Sequence, residues 1–208
     1  MNGLLFDWSL YADYAEKKVL KKNTVLYRQG DKTNGFYYLK EGKVMISILR
    51  DDGYERIIDF VYPGTLIGEQ TVNRTPSFTT ATLMVDSTLY YFSIDQFERL
   101  IQKYPEASKQ LIYSLIKKIR LLVNNNVILN APVDIQIAHF LLNLYEKKGS
   151  CTIHLTRNSI AKYIGKSRVT VWSVLKEWTK EGTIEMSNRE IVIKRLEKLK
   201  ELTEKVLS

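Results

Sequence analysis

Hydrophobic residues recur at every third and then every fourth position along residues 105–130, which is the pattern of one long amphipathic helix. Counted from Ile112, they form a heptad seam: Ile112, Leu115, Ile119, Leu122, Asn126 and Leu129. β-Branched residues alternating with leucine favour two parallel helices, and a buried asparagine that pairs with its twin fixes their register. The pattern therefore predicts a dimerisation helix. An amphipathic helix packed against its own domain is the alternative.

Closely spaced, strand-like runs separated by turn residues occupy the chain before this helix. They follow a short helical lead at residues 9–17 and end in a helix at residues 94–102, which Ser93 or Asp95 is placed to cap. The runs are residues 24–28, 35–39, 43–49, 56–61, 79–84 and 89–92. Such spacing is typical of an antiparallel roll or sandwich, with a hairpin turn at residues 51–53.

The chain behind the long helix has a different organisation. Pro132 predicts a hinge at residues 130–134, because proline removes a backbone donor and restricts the residue before it. The elements expected after the hinge are a helix at 135–147, a strand at 151–155, two wing strands at 183–187 and 190–194, and a closing helix at 195–207. The fold class is therefore α+β, with parts at residues 1–104, 105–130 and 131–208.

Residues 156–175 have the spacing of a helix-turn-helix. Thr156 and Ser167 are placed to cap its two helices, Gly165 suits the left-handed end of the first helix, and Ala161 is small where the helices cross. The apolar positions that would lock the pair together are Ile160, Ile164, Val171 and Val174. An ordinary helical hairpin is the alternative, but small, glycine and apolar positions all agree with the helix-turn-helix.

The start of the second of these helices is the predicted recognition surface for the DNA major groove. Arg168 suits a guanine edge or a phosphate, and Val169 suits a thymine methyl, whereas Trp172 either contacts bases or only braces the backbone. Lys166 and Thr170 are better placed for phosphates. The predicted DNA-binding residues are Lys166, Ser167, Arg168, Val169, Thr170, Trp172, Ser173 and, with Asn188 at the tip of the wing, Arg189.

The net charge of +8 supports DNA binding by the back half because it is unevenly distributed along the chain. Residues 1–104 hold 13 basic and 13 acidic side chains, while residues 105–208 hold 18 and 10. A basic half is the electrostatic footprint of nucleic-acid binding, although a helix facing a membrane or an acidic partner shares it. No apolar run approaches the ~20 residues that span a bilayer, and the N-terminus lacks a signal-peptide pattern, so we expect a cytoplasmic protein without a membrane partner.

Four motifs in the front part carry a family resemblance. In chain order they are YRQGD at 27–31, FYYLKEG at 36–42, PGTLIGE at 63–69 and TAT at 80–82. With the long helix and the back half, they resemble the CRP/FNR family of bacterial transcription regulators over nearly the entire chain. The resemblance implies a jelly-roll-like, cyclic-nucleotide-binding β-roll and a winged helix-turn-helix. It also implies a homodimer on double-stranded DNA with a two-fold symmetric site, and RNA polymerase as a further partner.

The resemblance fails where ligand chemistry matters. Cyclic-AMP-binding members follow a Gly-Glu pair, ten residues later, with an Arg-Ser pair whose arginine neutralises the cyclic phosphate. Here Thr79 replaces that arginine, so the phosphate would lose its charge-assisted partner. Arg74 lies five residues too early and is expected to be solvated. We therefore expect an effector other than cyclic AMP, and the candidate effector-binding residues are Gly68, Glu69, Thr79, Thr80, Leu121, Leu122 and Tyr62.

The front part also lacks cysteine and histidine, since Cys151, His139 and His154 all lie behind the long helix. We therefore expect neither haem nor an iron–sulfur cluster there, and we interpret both histidines as surface or packing residues. What remains is an apolar, tyrosine-rich pocket with Tyr90 and Tyr91 as further candidate walls, unless these tyrosines are simply core residues.

Two interpretations of function stay open, and neither is an enzyme, because no nucleophile–base pair, metal constellation or phosphate loop is recognisable. One is a homodimeric regulator under allosteric control by a small-molecule effector. The other is a constitutive DNA-binding regulator whose β-roll is purely structural.

Overall fold

The computed structural model describes residues 7–187 and 189–207, apart from the side chains of residues 124 and 205–207. The chain forms two compact units, Met1–Ile119 and Arg120–Ser208. The strands and α-helices of the first unit are β1 (Glu16–Leu20), β2 (Val25–Tyr27), β3 (Gly35–Glu41), β4 (Val44–Leu49), β5 (Glu55–Val61), β6 (Thr65–Ile67), β7 (Thr80–Leu83), β8 (Ser87–Ser93), α1 (Ile94–Lys103) and the first part of α2 (Glu106–Ile128).

Two four-stranded antiparallel sheets, ordered β1-β8-β3-β6 and β2-β7-β4-β5, build the first unit and confirm the predicted roll. One face of each sheet is apolar because side chains alternate along a strand. The buried residues packed together from both sheets are Tyr27, Leu39, Val44, Val61, Ile67, Ala81, Leu83 and Leu89. Gly35 must lack a side chain, since a Cβ there would lie 2.2 Å from the carbonyl oxygen of Phe92.

A second core, which is aromatic, lies against the β1-β8-β3-β6 sheet. Its buried residues are Trp8, Tyr11, Phe36, Tyr38, Leu66, Phe92, Phe97, Leu100, Ala107 and Leu111. Helix α1 begins at the predicted cap: Ser93 accepts a hydrogen bond from the backbone of Gln96, and the Gln96 side chain accepts one from the backbone of Ser93. This reciprocal pair satisfies two donors that the first turn of a helix leaves free.

The predicted helical lead at residues 9–17 is only partly right. Residues Trp8–Tyr14 form a 3-10 helix, and strand β1 has already begun at Glu16, where it pairs with β8. Trp8 and Tyr11 both enter the aromatic core, and the segment kinks at Tyr11, whose dihedrals of φ −104° and ψ 23° are not helical. Between the predicted strands at residues 56–61 and 79–84, the structure has two elements that were not predicted, strand β6 and a 3-10 helix at Glu69–Asn73.

Helix α2 confirms the predicted long helix and has two different sides. On one side, Ala107 and Leu111 are buried in the aromatic core. The seam residues are on another side, where Ile112, Ile119 and Leu122 are 52%, 58% and 54% exposed. Leu115, Asn126 and Leu129 are also exposed. The helix therefore packs on the first unit through one stripe and leaves a broader apolar surface uncovered, which includes the seam and also Tyr113, Ile116, Val123 and Val127.

The second unit contains the remaining helices and a small sheet. Its elements are α3 (Val133–Lys148), β9 (Thr152–Ile153), α4 (Arg157–Ile164), α5 (Arg168–Lys180), β10 (Ile184–Met186), β11 (Ile191–Ile193) and α6 (Leu196–Leu207). The wing has one strand more than predicted, because β9 pairs with β11 and gives the order β10-β11-β9. Just before β9, Cys151 is exposed, and its carbonyl oxygen accepts a hydrogen bond of 2.9 Å from Ile193 N.

The start of α3 explains how the chain turns after α2. Pro132 is the N-cap residue of α3, as its lack of a donor permits. The Gln136 side chain donates to the carbonyl oxygens of Leu129 and Ala131, at 3.1 and 2.7 Å, and so satisfies acceptors that the end of a helix leaves free. Within the described residues, no helix is long and apolar enough to cross a membrane.

Candidate nucleic-acid interface and effector cradle

Helices α4 and α5 have the capping that the sequence predicts. Thr156 Oγ1 accepts a hydrogen bond of 3.1 Å from Ser159 N, and Ser167 Oγ accepts one of 3.1 Å from Thr170 N. Gly165 ends α4 in the left-handed region at φ 75°, where a residue without Cβ is favoured. These contacts set where each helix begins and ends, and hence which side chains of α5 point outward.

One stripe of α5 is buried in the second unit, and the opposite side is open. Val171, Leu175 and Trp178 form the buried stripe, with Val174 partly buried beside it. Ile160, Ala161 and Ile164 of α4 are buried as expected. Val169, 77% exposed, lies on the open side. Its position at the start of a helix of a helix-turn-helix, rather than its exposure alone, makes Val169 a candidate for apolar contact with a base.

The predicted DNA-binding residues gather around the start of α5, with Arg189 on the wing. All except Trp172, which is half-buried, are exposed: Lys166, Ser167, Arg168, Val169, Thr170, Ser173 and Arg189. In the described part of the chain, no carboxylate pairs with Arg168. Residues 151–176 contain five basic and no acidic side chains, so the local field favours an anion. Asn188 lies outside the described residues.

The sequence pattern did not predict one contact of this surface, a cation–π contact between α4 and α5. The Arg157 guanidinium lies over the Trp172 ring, 3.9 Å from its centroid, and joins the first residue of α4 to the second turn of α5. Such a cation–π contact is favourable, most of all with tryptophan. Only the residue types, an arginine and a tryptophan, could have indicated this contact, because side chains of two different helices do not pair at a fixed sequence spacing.

The candidate effector-binding residues Gly68, Glu69, Thr79 and Thr80 form what we call the effector cradle of the first unit. It is organised around Gly68 and Tyr27. Gly68 has φ 83° and starts the 3-10 helix at Glu69–Asn73, and a Cβ at this position would lie 3.0 Å from the Tyr27 ring. Tyr27 is buried, which raises the pKa of its hydroxyl, and Thr79 and Gln70 lie beside that hydroxyl. A side chain of the protein itself thus fills the space next to the cradle glycine.

Glu69 is held by the protein in the same way. Its side chain is 2% exposed, and Oε1 lies 2.5 Å from Lys118 Nζ and 3.4 Å from Ser114 Oγ. Lys118 Nζ also donates to the carbonyl oxygen of Leu66 at 2.9 Å. A buried carboxylate needs such a partner, because an unpaired charge in a low-dielectric interior is strongly unfavourable. The predicted ligand-holding residue is therefore ion-paired to helix α2.

The other candidate effector residues are dispersed. Thr79 is buried beside Tyr27, and Thr80 Oγ1 accepts a hydrogen bond of 3.0 Å from Gln29 N. Tyr62 lies beside Lys43, whose Nζ is 5.4 Å from the ring centroid, and burial raises the pKa of Tyr62 to about 12. Leu121 is half-buried and Leu122 exposed, and both belong to the second unit.

The tyrosines of β8 do not line a common pocket. Tyr90 packs against the aromatic core, whereas Tyr91 contacts Tyr37 with a centroid distance of 5.0 Å. Neighbouring residues of a strand point to opposite faces, so these two side chains are separated by the sheet. Arg74 is 70% exposed, as expected, and its guanidinium lies 3.6 Å from Glu98.

The histidines have packing and surface positions. His139 is buried, which lowers the pKa of its imidazole, and Asn143 Nδ2 lies 3.3 Å from its Nδ1. His154 is exposed, with Nδ1 3.7 Å from Glu190 Oε1. Across residues 7–187 and 189–207, the structure brings together no group of three or more histidine, cysteine or acidic side chains suited to a metal ion.

Two family models match the two parts of the chain just described. Residues 17–104 match the cyclic nucleotide-binding domain, and residues 136–202 match the Crp-like helix-turn-helix domain. The chain belongs to the CRP/FNR family. As a CRP/FNR protein it is a transcription regulator with a DNA-binding helix-turn-helix, as the sequence predicted.

Relatives of this CRP/FNR chain are similar along most of their length. The anaerobic regulatory protein of Haemophilus influenzae is 26% identical over 90% of this chain and 76% of its own. The CRP-like cAMP-activated global transcriptional regulator of Mycobacterium tuberculosis is 27% identical over 84% of this chain and 82% of its own. A solved CRP/FNR regulator from Thermus thermophilus has the same fold, with a TM-score of 0.77, 23% identity, and coverage of 91% of this chain and 98% of its own.

Proposed function

We propose that this CRP/FNR regulator is a homodimer that reads a two-fold symmetric DNA site with helix α5 and is not controlled by cyclic AMP. The observation that carries the proposal is the open start of α5, where Arg168 and Val169 are exposed in a stretch of five basic and no acidic residues. An arginine and an apolar side chain at this end of a recognition helix can reach base edges. RNA polymerase is the further partner that we propose for it.

The uncovered stripe of α2 supports the homodimer. Ile112, Ile119 and Leu122 are each more than half exposed at heptad spacing. An apolar stripe of this length is typical of an interface between helices, and Asn126 within it would pair with its twin. In such a dimer the two recognition helices meet successive major grooves about 34 Å apart, one turn of B-DNA.

Two observations support independence from cyclic AMP. The position of the phosphate-binding arginine is Thr79, and Glu69 already forms an ion pair with Lys118. A cyclic nucleotide would meet a carboxylate whose Oε1 is already ion-paired, and it would gain no charge-assisted partner for its phosphate. An effector of another chemical class, which shifts the pairing of the α2 helices, is the form of control that the family resemblance favours.

The constitutive regulator is the second candidate, and the packing of the cradle favours it. Tyr27 and Lys118 occupy contacts that an effector would otherwise make with Gly68 and Glu69. A β-roll closed by its own side chains can hold a dimer together without sensing anything.

Selection of genomic fragments on the purified protein, with and without a small-molecule extract of its own cells, tests both candidates. The salt concentration should be about physiological, because any basic protein holds DNA at low ionic strength. Enrichment of a two-fold symmetric site only with extract would establish effector control. Equal enrichment without extract would establish the constitutive regulator, provided that extraction of the denatured protein releases no small molecule. No enrichment in either case would contradict DNA reading by α5.

The homodimer has its own test in Ile119→Glu, with Lys117→Glu as the matched control. Lys117 is exposed on the side of α2 opposite the seam, so the same glutamate there remains solvated. Two glutamates facing each other in the seam should abolish the dimer in sedimentation experiments and lower the affinity for a two-fold site more than about a hundredfold. A dimer that survives Ile119→Glu would place the interface elsewhere.

A further inference from the structure

The cation–π contact between Arg157 and Trp172 joins two helices of the DNA-binding unit. Trp172 is half-buried, and Arg157 lies against its ring at 3.9 Å from the centroid. The two residues belong to different helices, so the contact ties the first residue of α4 to the helix that carries Arg168 and Val169. It therefore joins α4 to the helix whose start carries the proposed DNA contact.

Trp172 differs from the side chains that can meet base edges in burial and contact, not in direction. At about 100° per residue, it lies between Arg168, roughly 40° away around α5, and Val169, roughly 60° away. Those two side chains are exposed, whereas Trp172 is half-buried and Arg157 covers one face of its indole. A half-buried ring with one face already occupied has less free surface for a base than its exposed neighbours.

Arg157 in turn keeps its hydrogen-bonding capacity. A guanidinium that stacks on a ring uses the face of its plane, and its five N–H donors lie along the edge of that plane. No carboxylate pairs with Arg157 in the described ranges, and residues 151–176 contain no acidic side chain at all. The ring thus fixes the orientation of the guanidinium while its donors remain available to an anion.

We propose that Trp172 is a positioning residue for DNA binding: its indole holds the guanidinium of Arg157 for a backbone phosphate and does not select a base. The inference rests on the proposed contact of α5 with DNA and adds Arg157 to the residues that make it. A preoriented arginine loses less conformational entropy on binding than a free one, so the stack should increase affinity for every sequence alike.

The test uses Trp172→Leu, Trp172→Phe, Arg157→Gln and the double variant Trp172→Leu/Arg157→Gln. Affinities are measured on the selected site and on random DNA, between about 50 and 200 mM salt. Loss of one phosphate contact from each half of a dimer should make the slope of log K against log salt shallower by about 1.8, with affinity about tenfold to thirtyfold lower near physiological salt.

The expected result is that Trp172→Leu and Arg157→Gln have the same effect on both DNAs, and that the double variant loses no more than either single variant. Trp172→Phe, which keeps an aromatic face, should retain most of the slope. Arg157→Gln removes no core side chain, so it remains informative even if a tryptophan variant folds poorly.

A different outcome would overturn the inference. An unchanged salt slope, or losses from Trp172→Leu confined to one base pair of the site, would show that Trp172 reads a base or only packs. Additive losses in the double variant would show that the two residues act separately. Failure of the unchanged protein to prefer its selected site would instead contradict the proposed function itself, so the two failures are distinguishable.

Discussion

The cradle around Glu69 and the start of α5 are the two places where the family resemblance predicts binding, and they are opposite in character. In the cradle, Lys118 compensates the carboxylate of Glu69, and Tyr27 packs on Gly68. At the start of α5, Arg168 and Val169 remain exposed. The Gly68-Glu69 pair that this chain shares with the cyclic-AMP-binding members therefore does not by itself imply that it binds the same ligand. In the cradle one oxygen of Glu69 is ion-paired to Lys118, while Oε2 is buried without a hydrogen-bond partner; at the start of α5 the predicted contact residues are open to solvent.

Helix α2 shows the same contrast within a single element. Its side chains Ser114 and Lys118 contact Glu69, while Ile112 and Ile119 point elsewhere and are exposed. One side of the helix packs on the first unit, and the other is exposed. Experiments that remove a satisfied contact should therefore affect stability, whereas those that remove an exposed group should affect binding.

Removal of the ammonium of Lys118 should have the largest effect. Lys118→Met leaves the carboxylate of Glu69 buried without a cation, and we expect the free energy of unfolding to fall by about 3 kcal/mol, the low end of the range because Lys118 is partly exposed. Urea denaturation measures this loss. Lys117→Met, at an exposed neighbouring position, is the matched control and should change stability by less than about 0.5 kcal/mol.

If Lys118→Met were as stable as Lys117→Met, Glu69 would be solvated and the cradle open. Glu69→Gln/Lys118→Met separates charge from packing. Because this double variant leaves no buried ion, it should recover part of the stability that Lys118→Met loses.

At the open site, Arg168→Ala should weaken binding to the selected sequence by about 1–3 kcal/mol and relax the choice of base at one position of each half-site. Folding should be unaffected, because the side chain is exposed. A fluorescence anisotropy titration on specific and random DNA measures the effect, with Lys180→Ala, at the far end of α5, as control. Equal losses on both DNAs would show that Arg168 contacts phosphate only.

A change of pH should have a smaller effect on the stability of the second unit, through protonation of His139. Burial lowers the pKa of this imidazole, and Asn143 Nδ2 beside Nδ1 suits the neutral ring. The unfolded chain therefore takes up a proton near the ordinary pKa of 6.5, while the folded chain does not. Stability of the second unit should decline as pH falls below about 6.5, until the folded imidazole is also protonated. Thermal unfolding of His139→Gln should lack this part of the pH dependence.

The smallest expected effect is that of cyclic AMP, which should leave the melting temperature unchanged at millimolar concentration. A ligand at a hundredfold excess over its dissociation constant would stabilise the folded chain by about 2.7 kcal/mol, which is easily detected. The cAMP-activated regulator of Mycobacterium tuberculosis is a suitable positive control. A clear shift in this chain would show that the cradle binds the nucleotide despite the Lys118–Glu69 ion pair, and the contrast between the two sites would disappear.

Features with a local sequence pattern were predictable. The strand runs, helix α2, and the caps Ser93, Thr156 and Ser167 follow from alternation, heptad spacing and side-chain oxygens that satisfy nearby backbone donors. The 3-10 helix at Trp8–Tyr14 was misassigned because its short apolar spacing also suits an α-helix.

Two contacts of the candidate sites join residues that are apart in sequence, and both were missed. Lys118 has the charge of a solvated helix residue, and nothing in its neighbourhood indicates a partner as distant as Glu69. The pairing of Arg157 with Trp172 was hidden for the same reason. Substitution of Thr79 for arginine did indicate a changed cradle, but which side chains occupy it depends on tertiary packing.

The position of Cys151 has a practical consequence. It is the one thiol of the chain, it is exposed, and its backbone is anchored to Ile193 of the wing sheet. A spin label or fluorophore can thus be attached at one defined point of the DNA-binding unit without any prior mutation. A homodimer would carry two such labels, one on each DNA-binding unit. Pulsed electron paramagnetic resonance would then measure the distance between the two labels before and after DNA is added.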